Sequence, residues 1–419
     1  MANYIRLRYK ESNYLNLAYF ISQRLSKKSD TGFSKLIVQI ATLAVALSIL
    51  VMIVAIAISR GYQKEIQNKV IGFHGHIQIT PLDLNNSIEG MPIRKDSIFE
   101  QMAKGYEGVV HFEPYATKTG IIKTKNDFKG VILKGIDPSY DWTFIRNNLK
   151  EGSVFSLSQN KVSNDVVISK TTADILNLHL NDAMYVYFIQ DPPRVRKFNI
   201  VGIFDSGLSE LDEIYAFVDM RQCQRLNAWG DSLISGYQIN TTSFANIDKE
   251  LDKLSNITPY TMGLQSVSST YPSLFSWLSL LDTNVLIIII LMIVVACINM
   301  ITALLILIIE RSHMIGILKA MGAKHLLISR IFLLMASRII LLGLLIGNAV
   351  GIGLCLLQQK FGFIKLNQKD YFISQVPIDL SFDVIAVINI FSFIISVLVL
   401  LLPSLYVAKI KPAKVIKWD

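Results

Sequence analysis

Cysteine is scarce in this chain, with three in 419 residues. Cys297 and Cys355 fall inside long apolar runs and Cys223 stands alone in the polar middle, so that middle part closes no internal disulfide. With some 220 residues, it can bury a sufficient core without one. Charge is thin as well: 17% of residues are charged against 52% hydrophobic, which departs from a soluble domain. No Gly-x-x-x-x-Gly-Lys-Ser/Thr loop is present to hold nucleotide phosphates, so any ATP that drives this protein is bound by another chain. His74 and His76 sit two apart and could share a strand face, but a zinc site needs at least a third protein ligand and no neighbouring cluster supplies one. They are expected at an ordinary polar strand edge. No catalytic residue, metal site or cofactor is expected, and no repeat of 20–50 residues points to a solenoid.

What the chain does have is four long uncharged runs, placed unevenly. Leu36 to Ser59, Thr283 to Ile309, Ile339 to Gln359 and Val384 to Ala408 carry no charge. A helix needs about 20 mostly apolar residues to cross a bilayer core, and lipid satisfies no free backbone group, so each run is expected as a helix. The fold class is therefore an α-helical membrane protein with four transmembrane helices, plus a large α+β extracytoplasmic domain between helices 1 and 2. The expected boundaries are a leader over 1–35, helix 1 over 36–59, the outer domain over 60–283 and helix 2 over 284–309. A cytoplasmic segment 310–325, helix 3 over 326–359, a short outer loop 360–383, helix 4 over 384–408 and a tail 409–419 complete the chain. Signal peptides have short leaders and apolar cores of about 7–15 residues; this leader and run are longer, so helix 1 is expected to stay as an anchor.

The net charge of +9 is not spread as a nucleic-acid binder would spread it. Residues 1–35, 310–330 and 405–419 hold 15 Lys/Arg and 4 Asp/Glu, whereas the remainder holds 26 basic and 28 acidic residues. Basic residues at the membrane ends of one side put both termini and segment 310–325 in the cytoplasm. Four crossings return the chain to its starting side, in agreement. Residues 14–27 place Leu17, Phe20, Ile21 and Leu25 at helical spacing beside Gln23, Arg24, Lys27 and Lys28, which suits either a helix on the cytoplasmic membrane surface or a plain basic leader.

In the outer domain, alternation predicts strands at His76–Thr80, Gly120–Lys125, Lys129–Gly135, Asp165–Ser169, Met184–Ile189, Val195–Phe204, Ile214–Val218 and Ile234–Ile239. Helices are predicted around Thr172–Asn177, Met220–Ala228 and Ala245–Leu254, with helical extensions at 60–70 and 270–283. In the third span Gly343, Gly347 and Gly351 fall four apart on one face, and Ala44 and Ser48 repeat the pattern on a smaller scale in the first. Such spacing lets membrane helices approach closely, where van der Waals packing replaces the missing hydrophobic drive. Arg338 is an expensive residue inside a membrane: it is either functional or snorkels toward the cytoplasmic headgroups.

Segment 310–325 is the most specific stretch. Ile315, Ile317, Leu318 and Met321 make it too apolar for an idle loop, and it is too short to span. Gly316 and Gly322 would bracket a short helix whose apolar side chains fill a partner's groove or rest on lipid.

Glu310-Arg311-Ser312-His313-Met314-Ile315-Gly316-Ile317-Leu318-Lys319-Ala320-Met321-Gly322-Ala323 resembles the signature of FtsX-like permeases, membrane subunits of ABC transporters with four spans. Pro403-Ser404-Leu405-Tyr406-Val407-Ala408-Lys409-Ile410-Lys411-Pro412-Ala413 looks like that family's closing motif, followed by Trp418-Asp419. Gly61-Tyr62-Gln63-Lys64-Glu65 and Gly72 also match. Asn299-Met300-Ile301-Thr302 and Pro377-Ile378-Asp379 are most similar to the LolC/LolE group of lipoprotein-releasing permeases. The resemblance implies a MacB-like periplasmic core domain and a location in the bacterial inner membrane. It also implies ATPase coupling through Glu310, Arg311, Gly316, Ile317, Leu318, Met321 and Gly322. The implied partners are a cytoplasmic ABC ATPase, a second permease subunit (itself or a paralogue), lipoprotein cargo, membrane lipid and a periplasmic lipoprotein carrier. Two departures stand out. The long hairpin of the carrier-gripping member is replaced by Gln190-Asp191-Pro192-Pro193-Arg194, and Met335-Ala336 stands where relatives often have Glu or Gln before Gly.

The reading that results is a non-catalytic permease subunit working by mechanical transmission from a separate ATPase. The alternatives are a MacB-like exporter subunit, an FtsX-like regulator of cell-wall hydrolases or, from another class, a membrane-anchored receptor without transport.

Overall fold

The computed structural model describes residues 17–24, 32–82, 90–125, 127–158 and 161–403. Most of the expected leader, Asn126 between two of the expected strands, and the tail 409–419 lie outside the described residues. The chain divides into two compact units: residues 1–62, 278–364 and 376–419 form one, and residues 63–277 with 365–375 form the other.

The first unit is helical. Its elements are α1 (Gly32–His74) as far as residue 62, α2 (Pro272–Glu310) from residue 278, α3 (Ser312–Ala320), α4 (His325–Phe361) and α5 (Phe382–Val399). Among the described residues four helices, 35–74, 272–310, 325–361 and 382–403, are long and apolar enough to cross a membrane. The extensions expected at 60–70 and 270–283 are helical, since α1 runs unbroken to His74 and α2 starts at Pro272. Proline suits the first turn of a helix, where its missing N–H would bond nothing anyway. Val45, Ile49, Met52 and Ile53 of α1 join Met300, Leu304 and Leu307 of α2, Phe332 and Ile340 of α4 and Ile385 and Ile388 of α5 in one buried cluster. Leu43, Leu47, Leu286, Ile287, Ile290, Leu345 and Phe391 face outward; apolar faces of that extent belong in lipid rather than in water. One polar contact lies among them: the Asn348 and Asn389 amides each donate to the other's oxygen, at 2.7 and 2.9 Å, joining α4 to α5. Where no water competes, such a pair fixes helix register.

The second unit is α+β. Its strands are β1 (Ile77–Pro81), β2 (Ile93–Arg94), β3 (Val109–Lys123), β4 (Phe128–Ile136), β5 (Leu149–Gly152), β6 (Asp165–Ser169), β7 (Ala183–Phe188), β8 (Arg194–Phe204), β9 (Tyr215–Asp219), β10 (Leu233–Ile234), β11 (Gly236–Thr241) and β12 (Met262–Ser266). Ten form a mixed sheet in the order β12-β1-β11-β3-β4-β9-β6-β8-β5, with β7 alongside β3 and β8, while β10 and β2 pair separately. The pairs β4/β9 and β6/β8 are parallel and the others antiparallel.

Most expected strands sit within a residue or two of their places, but two differ. Strand β3 begins at Val109, well before the expected Gly120, because Glu113 and Pro114 interrupt the alternation there. Glu113 is nevertheless buried, its carboxylate taking the Gln238 amide at 2.5 Å and the Asp141 N–H at 2.7 Å. The expected Ile234–Ile239 strand is divided at Ser235, its first part pairing with β2 and its second with β1 and β3.

The short loop before the fourth span is divided too. Its residues 365–375 belong to the second unit, where Lys69 Nζ donates to the Phe372 carbonyl at 2.9 Å and Gln368 Nε2 to Asp205 Oδ1 at 2.9 Å. Gly207, at φ +82°, lies beneath that contact, and a Cβ there would meet Lys69 Nζ at 2.7 Å.

Candidate functional site

The three glycines of α4 meet α1. A Cβ added to Gly347 would lie 2.6 Å from the Ala46 carbonyl oxygen and 2.9 Å from Ile49 Cβ, and one on Gly343 would lie 2.7 Å from Val45 Cγ1. At Gly351 the nearest atom, Leu50 Cα, is 3.4 Å away, an ordinary contact. On α1 the contact surface is Thr42, Val45, Ala46, Ile49, Leu50 and Ile53 rather than Ala44 and Ser48. Ser48 Oγ instead donates to the Ala44 carbonyl of its own helix, at 3.0 Å. Gly61, further along α1, has a comparable reason for being glycine: its Cβ would lie 2.6 Å from the Pro377 carbonyl oxygen. The Asp379 N–H donates to the Ala57 carbonyl beside it at 3.0 Å.

Segment 310–325 contains a helix, but its glycines do not bracket it. α3 runs from Ser312 to Ala320, so Gly316 lies in mid-helix and is buried. Gly322 does end the turn: at φ +88° it takes a left-handed conformation that suits glycine, and the following Ala323 N–H reaches the Leu318 carbonyl at 2.9 Å.

The apolar residues of α3 divide by face. Ile315 is fully buried and Leu318 packs against the same helical cluster, whereas Ile317 is 43% exposed and Met321 79%. Residues 313, 317, 320 and 321 are on the outward side, one stripe at helical spacing. Leu318 is therefore an internal contact, not the outward anchor that its sequence neighbourhood suggests. Leu326, 71% exposed just after this stripe, has no distinguishing signal in the sequence, where it reads as the start of a span. Glu310 ends α2, and Arg311 follows with its Nε buried and bonded to nothing among the described residues.

Arg338 is held from the chain's beginning. Residues 17–24 are helical; Ala18 packs with Leu327 and Ile331, and the Arg338 guanidinium lies 5.2 Å from the centre of the Tyr19 ring. A guanidinium over an aromatic face is attracted by the ring quadrupole. That contact gives the guanidinium a partner within the chain and does not by itself choose between a functional residue and one that snorkels.

In the second unit, the expectation of a strand edge at His74 and His76 is corrected. His74 is the last residue of α1 and buried, and Gly75 at φ +70° turns the chain before β1 begins. His76 Nδ1 accepts the Thr241 N–H at 3.2 Å. Among the described residues no cluster of three His, Cys, Asp or Glu could hold a metal. Beneath His74 lies a buried hydrogen-bonded network with a charged group at each end, which sequence reasoning missed. Lys134 Nζ donates to the Phe73 carbonyl and to Gln238 Oε1, and Gln238 in turn donates to Glu113. Burial pushes the Lys134 ammonium down to about 8, while burial raises the Glu113 carboxyl. A lysine in an alternating strand looks solvent-facing, and only the closing of the helix end over β4 buries this one.

Two family models match the chain: the MacB-like periplasmic core domain over residues 40–257 and the FtsX-like permease C-terminal over residues 286–412. The lipoprotein-releasing system transmembrane protein LolC of Xylella fastidiosa is 23% identical over 94% of this chain and 97% of its own length. The lipoprotein-releasing system transmembrane protein LolE of Haemophilus influenzae is 21% identical over 96% of this chain and 99% of its own. The periplasmic region of MacB from Actinobacillus actinomycetemcomitans aligns with 50% of this chain and 97% of its own, at 14% identity and a TM-score of 0.34.

Proposed function

The chain belongs to the family of the MacB-like periplasmic core domain and carries an FtsX-like permease region, and from that premise we propose that it is the permease subunit of an ABC transporter that releases lipoproteins from a bacterial inner membrane. A separate cytoplasmic ATPase supplies the energy, a second permease subunit completes the membrane part, and a periplasmic carrier receives the cargo. Both termini and α3 face the cytoplasm, and the second unit faces the periplasm.

The observation that carries the mechanism is the two-faced character of α3. Ile317 and Met321 form an outward apolar stripe for the ATPase, while Ile315 and Leu318 are set into the helical cluster. A push on the outer face therefore enters the packed helices directly. The glycine contacts pass it from α4 to α1, and α1 is continuous to His74, with no break to absorb the displacement. Two discrete packings of these helices, biased by the nucleotide state of the partner, are what such coupling requires.

The test replaces Ile317 and Met321 together by alanine. Truncating a buried interface anchor costs about 2 kcal/mol or more, so pull-down of the ATPase should weaken by about thirtyfold and cargo release should uncouple from hydrolysis. Leu318→Ala should leave ATPase capture near normal and lower the stability of the helices instead. A double variant that keeps its ATPase and stays coupled would sink the proposal.

A further inference from the structure

The second unit holds a half-open cavity of about 460 Å³ that the mechanical account leaves unused. It lies between the end of α1, the β1/β12 edge and the outer ends of β3 and β4. His74, Tyr115, Lys134, Tyr215 and Tyr271 are among the residues lining it. At about 30 Å³ per water, it has room for roughly fifteen.

The chemistry of its wall is one-sided. Among the described residues that line it, Lys134 is the charged side chain and none is an aspartate or glutamate. Two of the ammonium's three N–H groups are used, on Phe73 and Gln238. The ammonium also sits 5.4 Å from the centre of the Tyr115 ring, and its third N–H is committed to neither of those two oxygens. Tyr115 is itself more than nine-tenths buried, 8% exposed, yet its hydroxyl bonds to nothing among the described residues. Space for that hydroxyl is kept by Gly236, where a Cβ would come within 3.0 Å of it. Tyr215 and Tyr271 bring their hydroxyls to the same nitrogen of His74, at 3.1 and 2.8 Å. One ring nitrogen serves one hydroxyl proton at most, so at least one of the two protons stays available. Tyr115, Tyr215 and Tyr271 are mutually close, and burial together with that proximity raises Tyr115 and Tyr271 above the ordinary phenol range. All three are therefore donors at neutral pH. The nearest carboxylate, Glu113, is already occupied by Gln238 and the Asp141 N–H.

Hydroxyl donors that face a cavity and meet no protein acceptor are free to bind what fills it. We propose that this cavity is a binding site for an oxyanion, a phosphate or carboxylate group, held by the Lys134 ammonium and the Tyr115 and Tyr215 hydroxyls. Pro81, Leu82 and Met91 also line the cavity, so the bound group can carry an apolar continuation. Two sources share this chemistry: a free small anion and the headgroup of an anionic lipid.

The experiment uses the full chain in a neutral detergent and follows its melting temperature against three probes. These are sn-glycerol-1-phosphate, dihexanoylphosphatidylglycerol and, as the zwitterionic control, dihexanoylphosphatidylcholine. Stability should rise saturably with at least one of the first two. A response to glycerol phosphate identifies a free anion, and a response to phosphatidylglycerol alone identifies the lipid headgroup. Tyr115→Phe removes a hydroxyl that bonds nothing else, so folding is not at stake; it should raise the half-saturating concentration about tenfold, the loss expected for one hydrogen bond to a charged group. Lys134→Met should abolish the response, but it also strips a donor from the Phe73 carbonyl, so Tyr115→Phe is the deciding variant. The idea is overturned by no saturable shift with either anionic probe, by an equal response to phosphatidylcholine, or by a Tyr115→Phe response at wild-type concentrations. Phosphate stabilises proteins non-specifically through exclusion from their surfaces, so a linear rise common to the wild-type protein and Tyr115→Phe also counts against it.

Discussion

The contact between α4 and α1 makes a graded prediction, because its three glycines are not equally crowded. Gly347→Ala would put a Cβ 2.6 Å from the Ala46 carbonyl oxygen and 2.9 Å from Ile49 Cβ. Both neighbours are rigid: one is backbone and the other the branch point of a side chain with a stiff χ1. The helices must part, and a gap of about 0.5–1 Å forfeits a quarter to a half of the dispersion energy along the contact. Overpacking of this kind costs about 1–3 kcal/mol. Gly343→Ala meets Val45 Cγ1 at 2.7 Å and Val45 Cβ at 2.8 Å, but its nearest backbone atom, the Thr42 carbonyl oxygen, is 3.1 Å away, so its cost should be smaller. Gly351→Ala meets only ordinary contacts at 3.4 and 3.5 Å and should be close to neutral. The measurement is equilibrium unfolding of the three variants in mixed micelles, alongside cargo release in reconstituted membranes. Gly347→Leu should reduce release more than it reduces the amount of protein inserted. If Gly351→Ala proves as damaging as Gly347→Ala, or if Gly347→Leu releases cargo normally, close approach of these backbones is not what the glycines provide.

Topology is tested by single cysteines at exposed positions. Tyr260→Cys should react with an impermeant thiol reagent from outside intact cells and Met321→Cys should not; reaction at position 321 would end the permease account. For Arg338, a double-mutant cycle with Tyr19→Leu and Arg338→Leu should give a coupling of about 0.5–1 kcal/mol, and zero coupling would mean that the ring does not hold the guanidinium. Lys134 sets a pH dependence whose sign follows from its lowered folded-state value. Folded, it titrates near 8, and its ordinary value is 10.5, so between those limits the unfolded chain binds more protons and stability rises with pH. Relative to Lys134→Met, the wild-type protein should gain stability as pH is raised from 8 toward 10, and a constant difference would show that folding leaves the Lys134 ammonium at its ordinary value.

Much of the membrane part was legible because lipid enforces simple rules. An uncharged run of the required length has no alternative to a helix, and a helix repeats its face every three to four residues, so the glycine stripe on α4 could be read without knowing its partner. The partner surface could not. Ala44 and Ser48 have the right spacing, but helix packing depends on rotation, and the face of α1 that meets α4 is centred on Ala46 and Ile49. The same ambiguity affected α3. Its apolar residues announce a helix with something to bury, but Leu318 and Ile317 are adjacent in sequence and about 100° apart around a helix. Which of them faces inward is decided by where the surrounding helices lie.

In the second unit the sequence determined the strands whose apolar residues alternate, as in Asp165–Ser169, since burying one face of a sheet leaves that period of two in the chain. It failed where the interior is polar. The first half of β3 carries Glu113 and β4 carries Lys134, residues that local pattern assigns to water; their burial is compensated because Gln238, on a strand more than a hundred residues later, completes their hydrogen bonds. The cavity beside them had no local signal either. Its donors come from α1, β3, β4, β9 and the residue just before α2, and no short stretch of sequence contains two of its key hydroxyls. Composition and periodicity determined how many helices and what class of domain this chain makes, because those depend on each residue's transfer from water. Which faces meet, and which charges are enclosed, was decided only by the tertiary structure, because those depend on partners distant in the chain.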